Sequence, residues 1–331
     1  MTIDSARVRE LASQRVAMPY AAPVDLTGVH RMAEVFGWVE PSAADPVPWT
    51  WLPYLLRRRP DSLADRRPPS PLPELGSVVN GGLRVVPRQP VRVGELIEVS
   101  EQIDAVRVKP GREQTLTMVT THKRLARDGS LCADYYQTAI FRAGHDPDGH
   151  DPDGHDPDGR DPGGRDPGGA ADGAPAPTQP PAPRPTQPVV EPMVPTLAGA
   201  AELAPGQRLG RLSWPGVTRT QLAYYCAAAG VVDPIHYDLR TAAAHGFADV
   251  VVNGPYRSGA AEWALRLLWP ETTVEEFDCR HRAPLLAAQP FEATVDLVAV
   301  AGGEVTVRLT HQAAGSVLDR CDVRLSGARD V

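Results

Sequence analysis

The sequence predicts an α+β protein built from two modules. Three observations predict it. Residues 254–268 read as a helix that is apolar nearly all round. Alternating strand patterns follow it with no βαβ repeat. A Gly-, Pro- and Asp-rich tract divides the chain in the middle. The 331 residues suffice for two domains of ordinary size, and 42% of them are hydrophobic, enough for a sizeable core.

The central tract sets the boundary. His-Asp-Pro-Asp-Gly occurs three times over residues 145–159, and Arg-Asp-Pro-Gly-Gly twice over 160–169. A Pro/Ala/Thr/Gln tract follows, to about residue 192. Such a segment lacks the apolar surface that would offset its ordering entropy, so it reads as a disordered, extended linker. His145, His150 and His155 each stand beside an Asp, but nothing fixes them in a ligand geometry, and a linker without a metal role is the reading taken. The expected division is an N-terminal module at 1–143, a linker at 144–197 and a C-terminal module at 198–331.

In the C-terminal module, Thr218-Arg-Thr-Gln221 fits a capping box before an apolar run that stops at Gly230. A loop follows, Asp233-Pro-Ile-His-Tyr-Asp238, and it puts an imidazole just after a rigid Pro turn. Asp238 suits the N-cap of a short helix over 239–244. A second helix starts near Asn253-Gly254-Pro255, with Pro tolerated in the first turn, and runs to about Leu268. Residues 291–297, 304–310 and 317–325 alternate as strands, with a turn at Ala301-Gly-Gly303. A long helix wrapped by an antiparallel sheet is the hot-dog arrangement.

The N-terminal module shows the same downstream half. Strands are expected at 83–90, at 92–103 entered through Gly94, and at 114–123 and 131–141 paired across Arg127-Asp-Gly-Ser130. Upstream, 26–36 suggests a short helix, and 37–73, rich in Pro, Trp and Arg, a long loop.

Composition narrows the function classes. The net charge of −7, with acidic and basic residues interspersed, argues against a nucleic-acid partner. Arg57-Arg58-Arg59 and Arg66-Arg67 read as a solvated loop before a phosphate-contacting patch. The four cysteines are far apart with no C-x-x-C spacing, which fits free thiols in a reducing cytosol. The first residues hold no apolar signal region, and no run of about 18 apolar residues occurs, so a soluble cytoplasmic protein with no membrane partner is expected.

Taken in order, these residues resemble the MaoC-like hydratase/dehydratase family. More narrowly they are similar to its double-hot-dog branch of 3-hydroxyacyl-thioester dehydratases and mesaconyl-CoA-type hydratases. In the C-terminal half the resemblance rests on Pro234-Ile-His-Tyr-Asp238, Gly246-Phe247, Val251-Val-Asn-Gly-Pro255, Phe277-Asp-Cys-Arg280 and Ala283-Pro-Leu285. In the N-terminal half it rests on Pro71-Leu-Pro73, Gly81-Gly82, Pro90-Val-Arg-Val-Gly-Glu95 and Lys109-Pro-Gly-Arg112. It implies a double hot-dog, two antiparallel sheets each wrapping a helix as a pseudo-dimer. The N-terminal half would be of fatty-acid-synthase dehydratase type, non-catalytic and shaping the acyl tunnel. It implies a lyase acting on an acyl thioester of CoA or acyl carrier protein, in fatty-acid or polyketide metabolism, with no metal or redox cofactor. A homodimer of pseudo-dimers is compatible with it. Three positions depart from the pattern, one of them Asp233, three residues before the His, where relatives often carry Asn or His. Where relatives carry Asp or Asn five residues before the His, this chain has Val231, which can neither hold a water nor donate a proton. Where relatives carry His-Gly, it has Asn253-Gly254.

Hydration of an enoyl thioester needs a proton carrier, control of the proton at the α-carbon, and donors for negative charge on the thioester oxygen. His236 is the candidate base; a packed histidine is its alternative. Asp233 either orients His236 or a water, or caps the turn before Pro234. Gly254 is the candidate oxyanion donor, its N–H open to close approach at the helix start. Asn253 is expected to cap that helix or touch substrate. Ser258 is a candidate substrate contact, with a buried small residue as its alternative. Arg280, with Arg282, is a candidate partner for carrier phosphates, or a solvated face. His245 and His281 read as structural. Trp49, Trp51 and Tyr54 either line the acyl tunnel or pack in the core. Two rival functions stand beside the hydratase. One is a degenerate hot-dog protein or partner subunit that binds an acyl thioester without turnover. The other is a thioesterase, for which Glu262 is the only nearby helical carboxylate.

Overall fold

Alternating apolar positions along both halves become thirteen strands among the described residues of the computed structural model. It describes residues 17–38, 42, 44–56, 78–110, 115–142, 188–194, 196–200 and 202–327. The repeats at 145–169, the basic runs at 57–59 and 66–67, and the segment 71–73 lie outside the described residues.

The N-terminal half contributes β1 (Ala17–Pro23), β2 (Val78–Pro87), β3 (Leu96–Pro110), β4 (Thr115–Arg127) and β5 (Ser130–Arg142). The C-terminal half contributes β6 (Val189–Pro192), β7 (Arg208–Trp214), β8 (Val251–Val252) and β9 (Thr273–His281). It continues with β10 (Leu285–Leu286), β11 (Phe291–Ala301), β12 (Glu304–Ala313) and β13 (Ser316–Ser326). Eleven strands form one antiparallel sheet in the order β1-β3-β4-β5-β2-β9-β13-β12-β11-β7-β6, and β8 pairs with β10 apart from it.

The halves meet where β2 pairs with β9, in register from Gly82↔Arg280 to Val85↔Phe277. Gly82 has φ 155°, and a Cβ there would lie 2.4 Å from the carbonyl oxygen of Cys279, so this close approach requires glycine. The β4–β5 hairpin turns through Asp128 and Gly129, both at positive φ (50° and 75°), as a two-residue primed turn demands.

The segment assigned to the linker is corrected at its end. Val189–Pro192 is an edge strand, with Val189 and Val190 opposite Ser213 and Leu212 of β7. Two adjacent β-branched residues suit a strand, and the surrounding prolines hid them from a compositional reading. Strands β1 and β7 also lie outside the elements read from sequence.

The helices begin and end where the local chemistry places them. Helix α1 (Leu26–Phe36) is capped by Asp25, which accepts from the N–H groups of Thr27 and Gly28. Helix α2 (Leu52–Leu55) is a single turn in the segment expected to be loop. Helix α3 is Leu197–Ala200. Helix α4 (Arg219–Ala229) has the Thr218/Gln221 capping box and ends at Gly230, φ 61°. A 3-10 turn over Pro234–His236 leads to α5 (Leu239–Ala244), whose first turn Asp238 caps by accepting from Arg240 N–H at 2.8 Å. Helix α6 (Gly254–Leu268) buries residues on nearly every face. No helix of the described residues is long and apolar enough to cross a membrane.

The N-terminal half packs aromatic residues onto α6. Phe36 stacks on Trp51 (5.4 Å between centroids) and on Tyr256 (5.1 Å). Its ring lies where a Cβ on Gly259 would sit, 2.6 Å away. Trp49, Trp51 and Tyr54 are all buried in the core cluster. Each such aromatic side chain stabilises by roughly 2–3 kcal/mol through area removed from water. Glu262 is 1% exposed and joins the two halves. Its carboxylate accepts from Trp49 N–H at 3.0 Å and Thr50 N–H at 2.8 Å, and pairs with Arg266 at 3.3 Å.

Candidate active site

His236 closes the 3-10 turn that Pro234 starts, and its ring is fixed by one bond: Nδ1 lies 2.7 Å from the carbonyl oxygen of Val251. A carbonyl oxygen only accepts, so Nδ1 carries the hydrogen and Nε2 keeps a lone pair. Burial pushes the His236 pKa below its usual 6.5, against the Val251 bond and the Asp233 charge, while Arg257 lowers it further. The ring is held neutral near pH 7, the state a proton acceptor needs. Val251 leads through Val252 and Asn253 into Gly254, the first residue of α6, whose opening N–H groups have no intrahelical acceptor. His236 and Gly254 are therefore anchored to one short segment, Val251–Gly254.

Asp233 makes the bond of its capping reading. Its side chain is the cap of the turn, accepting from Ile235 N–H at 3.1 Å, and it is exposed. Val251 holds the His236 ring, while the Asp233 charge acts on that ring and raises its pKa. Asn253 stands at the N-cap of α6 but makes no side-chain cap bond. Its amide points to Cys226 Sγ (3.8 Å), and its Oδ1 is buried with no partner among the described residues. Burial pushes the Cys226 thiol up to about 12, which leaves it unreactive at neutral pH. Ser258 is fully buried, and its Oγ likewise has no partner among the described residues.

Arg280 stands on a solvated face, one of its two readings. On β9 the inward positions are Phe277, Cys279 and His281, and Arg280 points outward, 70% exposed, paired with Asp278 at 3.3 Å. Glu262 is corrected as a catalytic carboxylate, because two backbone N–H groups and Arg266 occupy its oxygens.

His281, read from sequence as structural, lies at the start of α6. A Cβ on Gly254 would sit 2.6 Å from its Nε2 and Cδ2. Its Nδ1 lies 2.7 Å from Asp319 Oδ1, and His311 Nδ1 lies 3.0 Å from Asp319 Oδ2. Arg257 Nη1 stands 3.1 Å from the same carboxylate and donates to Ala283 O at 2.8 Å. The three residues form one row across adjacent strands, with Asp319 paired in register to His281 on β9 and to His311 on β12. Burial alone would raise the Asp319 pKa, but the bonds from both imidazoles and the Arg257 charge outweigh it and hold the carboxyl well below its usual range. Burial pushes His281 down from 6.5, against Asp319. A carboxylate only accepts, so both rings carry hydrogen on Nδ1. The signal for this row was a polar residue at an inward position of an alternating strand. Asp319 shares its face with Cys321, Val323 and Leu325, and His311 with Leu309 and Val307.

Two surface hollows lie elsewhere. One of about 300 Å³ is lined by Trp214, Phe291 and Gln312, and one of about 230 Å³ by Glu98, Ser100 and Arg124.

No family model and no curated protein matches the chain. Solved structures do. One titled a MaoC-like dehydratase is 16% identical with a TM-score of 0.64, over 96% of this chain and 100% of that one. A MaoC-like dehydratase from Phytophthora capsici is 15% identical with a TM-score of 0.60, over 98% and 99%. A conserved hypothetical protein of Mycobacterium tuberculosis, described as having a double hotdog fold, is 18% identical with a TM-score of 0.52, over 96% and 97%. With the continuous sheet and the buried α6, these place the chain among double hot-dog proteins. Its architecture is the one found in MaoC-like dehydratases.

Proposed function

We propose that the protein adds water to 2-enoyl thioesters, or removes it from 3-hydroxyacyl thioesters, carried by CoA or an acyl carrier protein. The observation that carries this reading is the His236 ring, locked by Val251 O with Nε2 left as acceptor, on the segment that opens into the N-terminus of α6. The thioester oxygen would rest on the Gly254 N–H, where the helix dipole favours the charge that develops there. His236 Nε2 would take a proton from water as the oxygen bonds C3, and return it to C2. The C-terminal half supplies these groups. The N-terminal half acts through packing, by way of the Glu262 bonds and the aromatic residues over α6.

The test is loss of enoyl-thioester ultraviolet absorbance with crotonyl- and longer enoyl-CoA, comparing wild type with His236→Ala. Turnover that the substitution abolishes supports the proposal. A second reading, an acyl-thioester-binding protein without turnover, is favoured by Val231, which packs against the core and offers no polar atom. Tight acyl-CoA binding with unchanged absorbance in the wild type selects it.

A further inference from the structure

Two cysteines meet inside the sheet. Cys279 on β9 and Cys321 on β13 are directly opposed in register, and their Sγ atoms lie 2.6 Å apart. Both side chains are fully buried. All four thiols are free in this structure, and the other two face different partners. Cys132 Sγ stands 3.7 Å from Ser130 O, and Cys226 Sγ 3.8 Å from the Asn253 amide. Opposed residues of an antiparallel pair have Cα atoms about 4.5–5.5 Å apart, inside the span of a disulfide. With both side chains on one face and the sulfurs in contact, a bond between them needs no shift of the backbone. Cys279 also pairs with Leu83 of β2, on the seam between the halves. The next inward rung of β9 and β13 is His281 opposite Asp319.

We propose that Cys279 and Cys321 form a redox-dependent cross-link that fastens β9 to β13: a disulfide when the chain folds with a small-molecule disulfide present, two thiols when it folds under reducing conditions. Closure belongs to the folding chain. In the finished sheet neither sulfur is reached from solvent, and burial pushes the Cys321 thiol well above its usual range. Before the sheet packs, an unshielded thiol with a pKa of about 8.5 supplies the thiolate that exchange requires. The Cys279 thiolate attacks one sulfur of the small disulfide. That S–S bond breaks and the first small thiolate leaves. The Cys321 thiolate then attacks Cys279 Sγ, the new S–S bond forms and the second small thiolate leaves. The two protons given up by the cysteines end on the two small thiols. The protein is oxidised by two electrons, and the small disulfide is reduced by the same two.

The experiment uses the full wild-type chain. It is unfolded in reductant and refolded either with dithiothreitol or with oxidised and reduced glutathione. Each sample is then unfolded, alkylated, weighed intact and digested. With glutathione, two of the four cysteines should escape alkylation, and one cross-linked peptide pair should join Cys279 to Cys321. With dithiothreitol, all four should be alkylated. Four alkylated cysteines in both samples, or a main cross-link through Cys132 or Cys226, overturns the inference. If the chain does not refold, the same map is read on protein made in the bacterial periplasm, with the same outcomes. The cross-linked chain should melt at least roughly 3 °C above the reduced one, and a bond with a smaller rise overturns the fastening role. Cys321→Ser should abolish both the cross-link and the difference in melting. A melting difference that survives in the folded variant assigns it to another cause and overturns the fastening role. If Cys321→Ser does not fold, the wild-type map and melts decide.

Discussion

Gly254 and His281 touch so closely that a methyl group on the first would stand 2.6 Å from Nε2 of the second. The ring cannot swing aside cheaply, because Asp319 holds its other nitrogen at 2.7 Å. Gly254→Ala is therefore expected to destabilise by about 1–3 kcal/mol through overpacking. Denaturant unfolding measures it. The same substitution in a His281→Ala background should cost clearly less, and a strictly additive pair would contradict the contact.

His236 must be neutral to accept a proton, and burial lowers its pKa from 6.5. Activity should hold on acidification through pH 6.5 and fall only below it. The pH dependence of kcat/KM checks this: an acid limb centred at or above 6.5 would assign the limb to another group.

Stability should also fall with acid. The folded-state pKa values of His236 and His281 lie below 6.5, so between 6.5 and those values the unfolded chain binds protons that the folded one does not. The contribution of these rings is complete above 6.5 and is lost as pH falls towards the folded values. Asp319, with its pKa depressed, adds a further loss at still lower pH, through and below its ordinary 3.8. Thermal melts from pH 8 to 5 should show a declining Tm, with a shallower decline in His281→Asn.

Glu262→Ala leaves two buried backbone N–H groups at Trp49 and Thr50 without an acceptor. A cost of roughly 2–5 kcal/mol is expected. Chemical denaturation reads it, and a loss below about 1 kcal/mol would mean that water replaces the carboxylate.

Arg280→Ala should leave KM for an acyl-CoA substrate unchanged within about twofold, because its side chain points away from α6 and is 70% exposed. Steady-state kinetics on the two proteins decide it.

Most of the fold was legible because each half follows local rules. Thr218, Gly230, Asp238 and Pro255 mark helix ends by their own backbone chemistry, and the structure places ends at those residues. The primed turn at Asp128-Gly129 fixed a hairpin in the same way. The row His281–Asp319–His311 was not legible, because it is created by register between three strands distant in sequence. The strand expected over 304–310 stopped one residue before His311, although the inward alternation of Val307 and Leu309 continues to it. Arg280 had two readings for a related reason: its face depends on which neighbours of β9 turn inward, which only the assembled sheet decides. Asp233 had two local readings, and the Ile235 bond fits the capping one.

The join between β2 and β9 gives the covalent connection a minor part in holding the molecule together. Backbone bonds and the Gly82 contact already zip β2 to β9, along the very strand that ends in His281. Made as two separate polypeptides, the pieces should find each other and rebuild the same sheet, and the C-terminal piece by itself should expose the bare edge of β9 as a sticky flank open to any other strand.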